Sequence, residues 1–372
     1  MKSIANVIKV LHITFDMTIG GAQQVIRQLI ENIDSRIINS EIACLDNQVG
    51  ELGEILSKQG ISIHLFNRKP GIDLILINQL RQLVRINHYN IIHCHQYTPY
   101  VYGLLASRFL STKLIFTEHG RFYPDYGSWK RKLVNPIFSI FTDHITSISK
   151  ATKEAMVKYE NFKPSDIQVI YNGVVDCSYI NVDCHLLKCE FDIPEDAFIF
   201  GTISRLQPIK NQKMMIRAFK MVNDKYNNTC LLIVGDGEIK NELMILTEEL
   251  SISNNVIFTG FQQDPYPFHQ IIDVFLLSSF SEGTSMTLLE SMSFSKPSVA
   301  TNVGGNPELI SDGYNGFLIE SDKVEPFAEA CIRLYEDSTL KHIMGNNARE
   351  LYDNSFRIDR MLDGFYHIYG VK

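Results

Sequence analysis

One pattern constrains this chain more than any other. Short apolar runs of strand length alternate with stretches whose apolar positions recur at helical spacing. The runs fall at 7–15, 40–45, 62–66, 90–94, 113–117, 144–149 and 167–175, and helical patterns fall between them at 20–33, 51–59, 74–87, 100–110 and 150–159. Such alternation predicts parallel strands joined by crossover helices, an α/β Rossmann-like domain whose ligands gather at the carboxyl ends of the strands. Strand signals restart at 198–203 and recur at 231–234, 255–261, 274–277 and 296–301. Between the two series lies an irregular segment, 176–195, carrying Cys177, Cys184, His185, Cys189 and Pro194. A domain boundary belongs there. The tail, 357–369, reads as an amphipathic helix.

At 372 residues the chain suits two domains, each able to bury a core. The net charge of -7 gives no global attraction to nucleic acid, so any phosphate ligand must be met by local cations. The seven Cys are scattered, odd in number and without zinc spacing, which predicts reduced thiols in a cytosolic setting. Met1, Lys2, Ser3 and Ile4 open no signal peptide, because Asn6, Lys9 and His12 break the apolar run. No apolar run reaches the roughly 18 residues of a membrane span. Any membrane role would then be at the surface. The segment 126–141 sets Trp129, Lys130, Arg131 and Lys132 beside an apolar run broken by Pro136, a composition that suits either an anionic headgroup surface or a solvated helix face.

Chemistry-bearing residues cluster in the loops that follow strands. Gly20-Gly21 sits at the turn from the first strand into its helix, where a phosphate can approach the backbone. It is not the G-x-G-x-x-G fingerprint, which argues against a nicotinamide enzyme. His93 and His95 point to one face of a strand end, but no third metal ligand is apparent beside them. Thr117-Glu118-His119-Gly120-Arg121 ends another strand, and His119 there suits a hydrogen bond to a hydroxyl or phosphate. In the second half, Arg205 and Lys210 follow a strand and suit a diphosphate. Gly235, Asp236, Gly237 and Glu238 form a Gly-rich turn after the next strand, and Phe261 closes the one after that. Asp236 and Glu238 look metal-like, yet no D-x-D pair exists in the chain, which favours a metal-free enzyme.

The densest stretch begins at Ser281. Glu282 and Glu290 stand in E-x7-E spacing across Gly283, Thr284, Ser285, Met286, Thr287, Leu288 and Leu289, where a strand-end loop enters a helix. A separation of about 10 Å is too long for an acid/base dyad on one bond and suits two carboxylates holding different hydroxyls of an extended ligand. Lys296-Pro297, then Gly304-Gly305-Asn306-Pro307-Glu308, then Asp312-Gly313-Tyr314-Asn315-Gly316-Phe317-Leu318 follow in order, the last as a hairpin-like turn.

In this order the motifs resemble the retaining glycosyltransferases of family 4, the glycosyl transferases group 1. The resemblance spans the whole chain, is densest from Phe200 to Phe317, and includes the Tyr171-Asn172-Gly173-Val174 before the boundary. It implies the GT-B fold: α/β, two Rossmann-like domains facing each other across a cleft, with the C-terminal helix returning to the first. The expected division is 1–180 on the acceptor side, 190–355 for the nucleotide sugar, and 356–372 as the returning helix. It implies transfer of a sugar from a nucleoside-diphosphate sugar, UDP-linked, to a hydroxyl of a glycan or lipid-linked acceptor in polysaccharide or lipopolysaccharide assembly. No cofactor or metal is implied.

By the same resemblance Arg205 and Lys210 neutralise the donor phosphates, Glu282 holds sugar hydroxyls near the anomeric carbon, and Glu290 binds the ribose. The N–H groups from Gly283 to Leu288 face sugar and phosphate, the strand and loop at 255–261 hold the base, and His119 contacts the donor sugar. The Gly20-Gly21 loop closes over the diphosphate. The implied setting is cytoplasmic, peripheral to the inner face of the membrane. How stereochemistry is retained is not visible: no carboxylate declares itself a covalent nucleophile, and the family is usually discussed in terms of same-face attack assisted by the leaving phosphate. Two other readings stay open, another GT-B enzyme such as a UDP-sugar epimerase, and a non-catalytic partner subunit that keeps the fold.

Overall fold

The computed structural model describes residues 7–120, 127–180 and 182–371. The expectations placed on the first six residues, on Arg121 and on Tyr126 lie outside the described residues. Cα packing divides the chain into one unit of residues 1–173 with 358–372 and another of 174–357.

In the first unit β1 (Ile8–Thr14), α1 (Gly21–Asn32), β2 (Ile38–Cys44), α2 (Gly50–Lys58), β3 (Ile63–Leu65), α3 (Leu74–Asn87), β4 (Ile91–His95) and α4 (Tyr97–Ser107) alternate strictly. They continue as β5 (Lys113–Glu118), α5 (Trp129–Ile140), β6 (His144–Ser147), α6 (Lys150–Glu160) and β7 (Ile167–Val169). All pairings are parallel, in the order β3-β2-β1-β4-β5-β6-β7. The chain reverses direction across the sheet between β1 and β4, and ligands of open α/β sheets bind at such a switch point.

In the second unit α7 (Cys184–Glu190) precedes β8 (Phe198–Ile203), α8 (Gln212–Lys225), β9 (Thr229–Val234), α9 (Lys240–Glu249), β10 (Val256–Gly260), α10 (Tyr266–Ile271) and β11 (Val274–Leu277). Then come α11 (Met286–Ser293), β12 (Ser298–Thr301), α12 (Asn306–Leu309), β13 (Gly316–Ile319), α13 (Val324–Glu336) and α14 (Ser338–Ser355). The sheet order β10-β9-β8-β11-β12-β13 repeats the first unit's logic, with its switch point between β8 and β11. Strands β9, β11 and β12 are buried along their whole length, as parallel strands covered on both faces must be. The last helix, α15 (Ile358–Tyr369), belongs to the first unit. There Tyr366 Oη accepts from the Asp34 N–H at 2.9 Å, and Tyr369 Oη lies 2.7 Å from His93 Nδ1.

Several elements differ from the sequence expectation for identifiable reasons. Helix α4 starts at Tyr97, not Tyr100, because Pro99 falls in the first turn, where its missing N–H costs nothing. Gly316 to Ile319 is a parallel strand beside β12; the Asp312–Gly316 turn that feeds it looked from sequence like a hairpin. All seven cysteines are unpaired, and the loose group at Cys177 to Cys189 does not converge on an ion site.

Candidate functional site

In the second unit the loops after β8 and β11 are zipped together. The Phe280 N–H donates to Ile209 O at 2.8 Å, and Ser278 Oγ donates to the carbonyls of Lys210 and Asn211 at 2.8 and 3.0 Å. This fixes two side chains against each other. Lys210 Nζ donates to Glu282 Oε1 at 2.6 Å, and Ser279 Oγ donates to the same oxygen at 2.5 Å. A cation and a carboxylate therefore stand in contact at the switch point, both partly shielded from water. Sequence reasoning brought Lys210 and Glu282 together but missed Ser279, whose small polar side chain carries no motif signal.

Backbone geometry explains why glycines frame this pair. Gly304 has φ +51°, and a Cβ on it would lie 1.9 Å from Glu282 O, while the Gly305 N–H donates to that same carbonyl at 3.2 Å. Only glycine fits so close to another backbone in a left-handed conformation. Gly235, at φ +138°, stands in the same relation to Ser204 O, 2.1 Å from the position of a Cβ. Around it the Ser204 N–H bonds Val234 O at 3.0 Å and the Leu206 N–H bonds Asp236 O at 2.9 Å, so the backbone is clamped on either side of Arg205. The Arg205 side chain is exposed and makes no ion pair among the described residues. Asp236 is engaged: it pairs with Lys240 at 3.0 Å, and that hydrogen bond, with one from the Gly237 N–H, holds its carboxyl below the ordinary range. Phe261, half exposed, follows Gly260 at the end of β10.

Helix α11 begins at Met286, so only the second half of the E-x7-E stretch is helical. Ser285 caps it, accepting from the Leu288 N–H at 3.3 Å. That corrects one expectation: Leu288, buried, has its N–H already taken by the Ser285 cap. Glu290 is buried, with Oε2 3.4 Å from Nε2 of His269, a fully buried ring that stacks on Phe294. His269 was not singled out from sequence, because only tertiary packing brings α10 to α11. Lys296 Nζ donates to Gln270 O at 2.9 Å, and burial lowers its pKa.

In the first unit Asp16 shapes the loop after β1. Its Oδ1 accepts from the Thr18 N–H at 2.9 Å, Thr18 Oγ1 at 2.6 Å and Gln23 Nε2 at 3.2 Å. The loop delivers Gly20 as an N-cap without a capping side chain, and a Cβ on Gly21 would meet nothing within 4 Å. The N-terminus of α1 is thus left open to an anion.

His119 follows β5, and its Nε2 lies 2.8 Å from His95 Nδ1. His95 Nε2 in turn lies 3.0 Å from Nδ1 of His12 on β1. The third histidine beside His93 and His95, not apparent from sequence, is His12, which pairs with His93 in register across β1 and β4. Burial pushes His12 and His119 down to about 3, and His93 and His95 well below the usual imidazole range. All four are therefore neutral at pH 7. Ligand nitrogens of His12, His93 and His95 lie within 4.8 Å of one another, the one such group among the described residues. The rings do not suit an ion, however. His93 and His95 pack at 36° to each other with centroids 4.1 Å apart, and His93 spends both nitrogens on Tyr369 Oη and Thr117 Oγ1, each at 2.7 Å. A tetrahedral ion needs three ring lone pairs converging on one point.

Residues 19–176 match the family described as Glycosyltransferase Family 4, and residues 187–351 match Glycosyl transferases group 1. The N-acetyl-alpha-D-glucosaminyl L-malate synthase of Bacillus anthracis is 30% identical over 81% of this chain and 79% of its own length. The chain belongs to glycosyltransferase family 4. It is a transferase enzyme. The family 4 chain is also 27% identical, over 99% of its length and 98% of the relative's, to the UDP-Gal:alpha-D-GlcNAc-diphosphoundecaprenol alpha-1,3-galactosyltransferase of Escherichia coli. The structure of Anabaena HepE in complex with UDP superposes with a TM-score of 0.85 at 21% identity, covering 98% of this chain and 100% of that one. The fold of this glycosyltransferase is GT-B.

Proposed function

We propose that this enzyme is a retaining glycosyltransferase that moves a hexose-type sugar from a UDP-sugar to a hydroxyl of a lipid-linked or glycan acceptor in cell-surface polysaccharide or lipopolysaccharide assembly. The observation that carries the reading is the Lys210–Glu282 contact at the β8/β11 switch point. Without donor the two charges neutralise each other; with donor, Lys210 and Arg205 turn to the diphosphate and Glu282 to the sugar hydroxyls beside the anomeric carbon. The C–O bond between anomeric carbon and β-phosphate breaks with its electron pair going to the phosphate oxygen. Lys210 and Arg205 stabilise that charge from loops whose backbones are already fixed, so only their side chains turn. The acceptor hydroxyl attacks from the face the diphosphate leaves and gives its proton to a phosphate oxygen, so configuration is kept. N–H groups of the loop from Gly283 to Thr287 meet the phosphate and sugar, Glu290 the ribose, and the backbone around Phe261 the base. In the first unit Gly20-Gly21 offers a phosphate contact and His119 a hydrogen bond to a sugar hydroxyl. No residue in this scheme calls on a metal. The acceptor's lipid-linked class is supported by the Escherichia coli relative, whose name specifies a diphosphoundecaprenol acceptor.

With a lipid-linked acceptor, an anionic membrane surface is the partner this reading points to. Helix α5 supports it by the apolar stripe it leaves outside. Inward, Phe138 packs on the core beside polar anchors: Arg131 pairs with Glu160 at 2.5 Å, and Asn135 accepts from Tyr97 Oη at 2.7 Å and donates to Glu160 O at 2.9 Å. Its outward stripe is apolar, Trp129, Leu133, Ile137 and Ile140, each 55–76% exposed, with Lys130 and Lys132 exposed beside it. No helix of the described residues is long and apolar enough to cross a membrane. Contact by α5 and association with the inner membrane face are therefore proposed as peripheral.

The test is Lys210→Ala assayed against a panel of UDP-sugars with a diphosphoprenol acceptor. Transfer is expected to fall by about 10²-fold or more with an unchanged melting temperature. Turnover near that of the parent, or a β-linked product from an α-linked donor, would overturn the reading.

A further inference from the structure

The second unit holds a buried histidine that the transfer reaction as described does not use. His269 on α10 is completely buried, and its Nε2 lies 3.4 Å from Glu290 Oε2 on α11. Glu290 is itself buried, in a helix where Leu288, Leu289 and Met292 are buried apolar side chains. A carboxylate in such surroundings is costly unless it is hydrogen-bonded or paired. Yet no Lys or Arg pairs with it among the described residues, and its Oε1 accepts from no group among them. One oxygen is held and the other is left for a ligand.

We propose that His269 is a positioning residue for nucleotide binding, holding Oε2 of Glu290 so that Oε1 faces the ribose hydroxyls and the site selects ribose over deoxyribose. A carboxylate accepts and does not donate, so the imidazole faces it with Nε2–H. A neutral ring then carries a bare lone pair on Nδ1, and Nδ1 is the buried ring atom without a partner among the described residues. The opposite tautomer would set lone pairs against each other at the carboxylate and also bury an unpaired N–H, the rarer kind of orphan. A glutamate side chain has several free torsions, and a ligand that had to order them would bind more weakly. His269 meets that cost in advance. The proposal rests on the reading that Glu290 binds the ribose.

Neighbouring groups hold the ring still. Phe294 stacks on it at 5.4 Å between centroids and 14° between planes, and Phe275 of β11 packs against it at 5.7 Å. Helix α10 is pinned as well. Phe268 meets Phe191 edge-on at 5.5 Å, Lys296 Nζ donates to Gln270 O at 2.9 Å, and Gln270 Nε2 donates to Ile180 O. The N–H that faces Glu290 is therefore in place before any nucleotide arrives.

The experiment is calorimetric titration of the full chain with UDP and with 2′,3′-dideoxy-UDP. The parent should prefer UDP by about tenfold or more, because a site built to bond hydroxyls rejects the analogue that lacks them. His269→Gln, whose amide nitrogen reaches near the place of Nε2, should keep most of that ratio. His269→Asn, one methylene shorter, should bring it towards unity. Both substitutions remove the same stacked ring, so a merely structural role would move both ratios alike. A parental ratio in His269→Asn, or equal collapse in the two variants, overturns the proposal. In the parent, nitrogen NMR should find His269 with its proton on Nε2, and a proton on Nδ1 overturns the contact without any variant. Glu290→Ala separates the underlying reading: a ratio it leaves unchanged refutes the ribose contact of Glu290 itself, whereas a ratio lost there and kept in His269→Asn refutes only the role of His269.

Discussion

Gly304 and Gly21 sit in similar sequence settings, each in a Gly-Gly pair at a strand-to-helix turn, and do different jobs. A methyl at 304 meets the Glu282 carbonyl at 1.9 Å in a left-handed conformation, so Gly304→Ala should destabilise by about 2 kcal/mol or more and displace Glu282. A lowered urea midpoint with transfer lost checks this. A methyl at 21 meets nothing, and alanine is the better helix former, so Gly21→Ala should leave stability equal or up to about 1 kcal/mol higher. Any fall in transfer there reports a ligand excluded from the open end of α1, and unchanged kinetics would mean the Gly20-Gly21 loop touches no donor. From the motif alone both pairs read as Gly-Gly turns after a strand. The distance to the opposing backbone tells them apart.

Elements were legible where hydrophobic periodicity was strong and local. Helix α3 runs from Leu74 to Asn87, as its spacing predicts, because Asp73 caps it and its apolar stripe packs inward. Helix α5 breaks the usual relation between pattern and burial, since its polar side chains are satisfied by Glu160 and Tyr97 while its apolar stripe stays outside. Replacing Leu133 and Ile137 by Asp should therefore leave the melting temperature almost unchanged, because neither side chain is packed. It should also abolish co-sedimentation with phosphatidylglycerol vesicles. Retained binding by the double variant would remove α5 from the membrane contact. Strand β13 was missed because four residues after a Gly-rich turn carry too little pattern; its partner β12 defines it.

At the scale of the molecule the two units carry different titration loads. Burial depresses His12, His93, His95 and His119, so below about pH 6.5 the unfolded chain binds protons that the folded unit refuses, at His12 and His119 down to about 3. Their contribution is intact above about pH 6.5 and is lost as pH falls. Acid titration should thus unfold the first unit early, and His12→Asn should flatten the pH dependence of its melting temperature; an unchanged slope would contradict the neutral stack. If the second unit binds UDP as proposed, UDP should stabilise that unit's transition by about 2.7 kcal/mol at 100 times its Kd. Sequence by itself determined the doubly repeated α/β order, because strand and helix periods are local properties of the chain, and its loop motifs and family resemblance offered Arg205, Lys210, Glu282 and His119 as candidates. Tertiary structure alone decided that Ser279 joins Lys210 on Glu282, that His269 backs Glu290, and that His12 completes the row beneath His119, because parallel sheets bring together side chains scores of residues apart and no local pattern records their register.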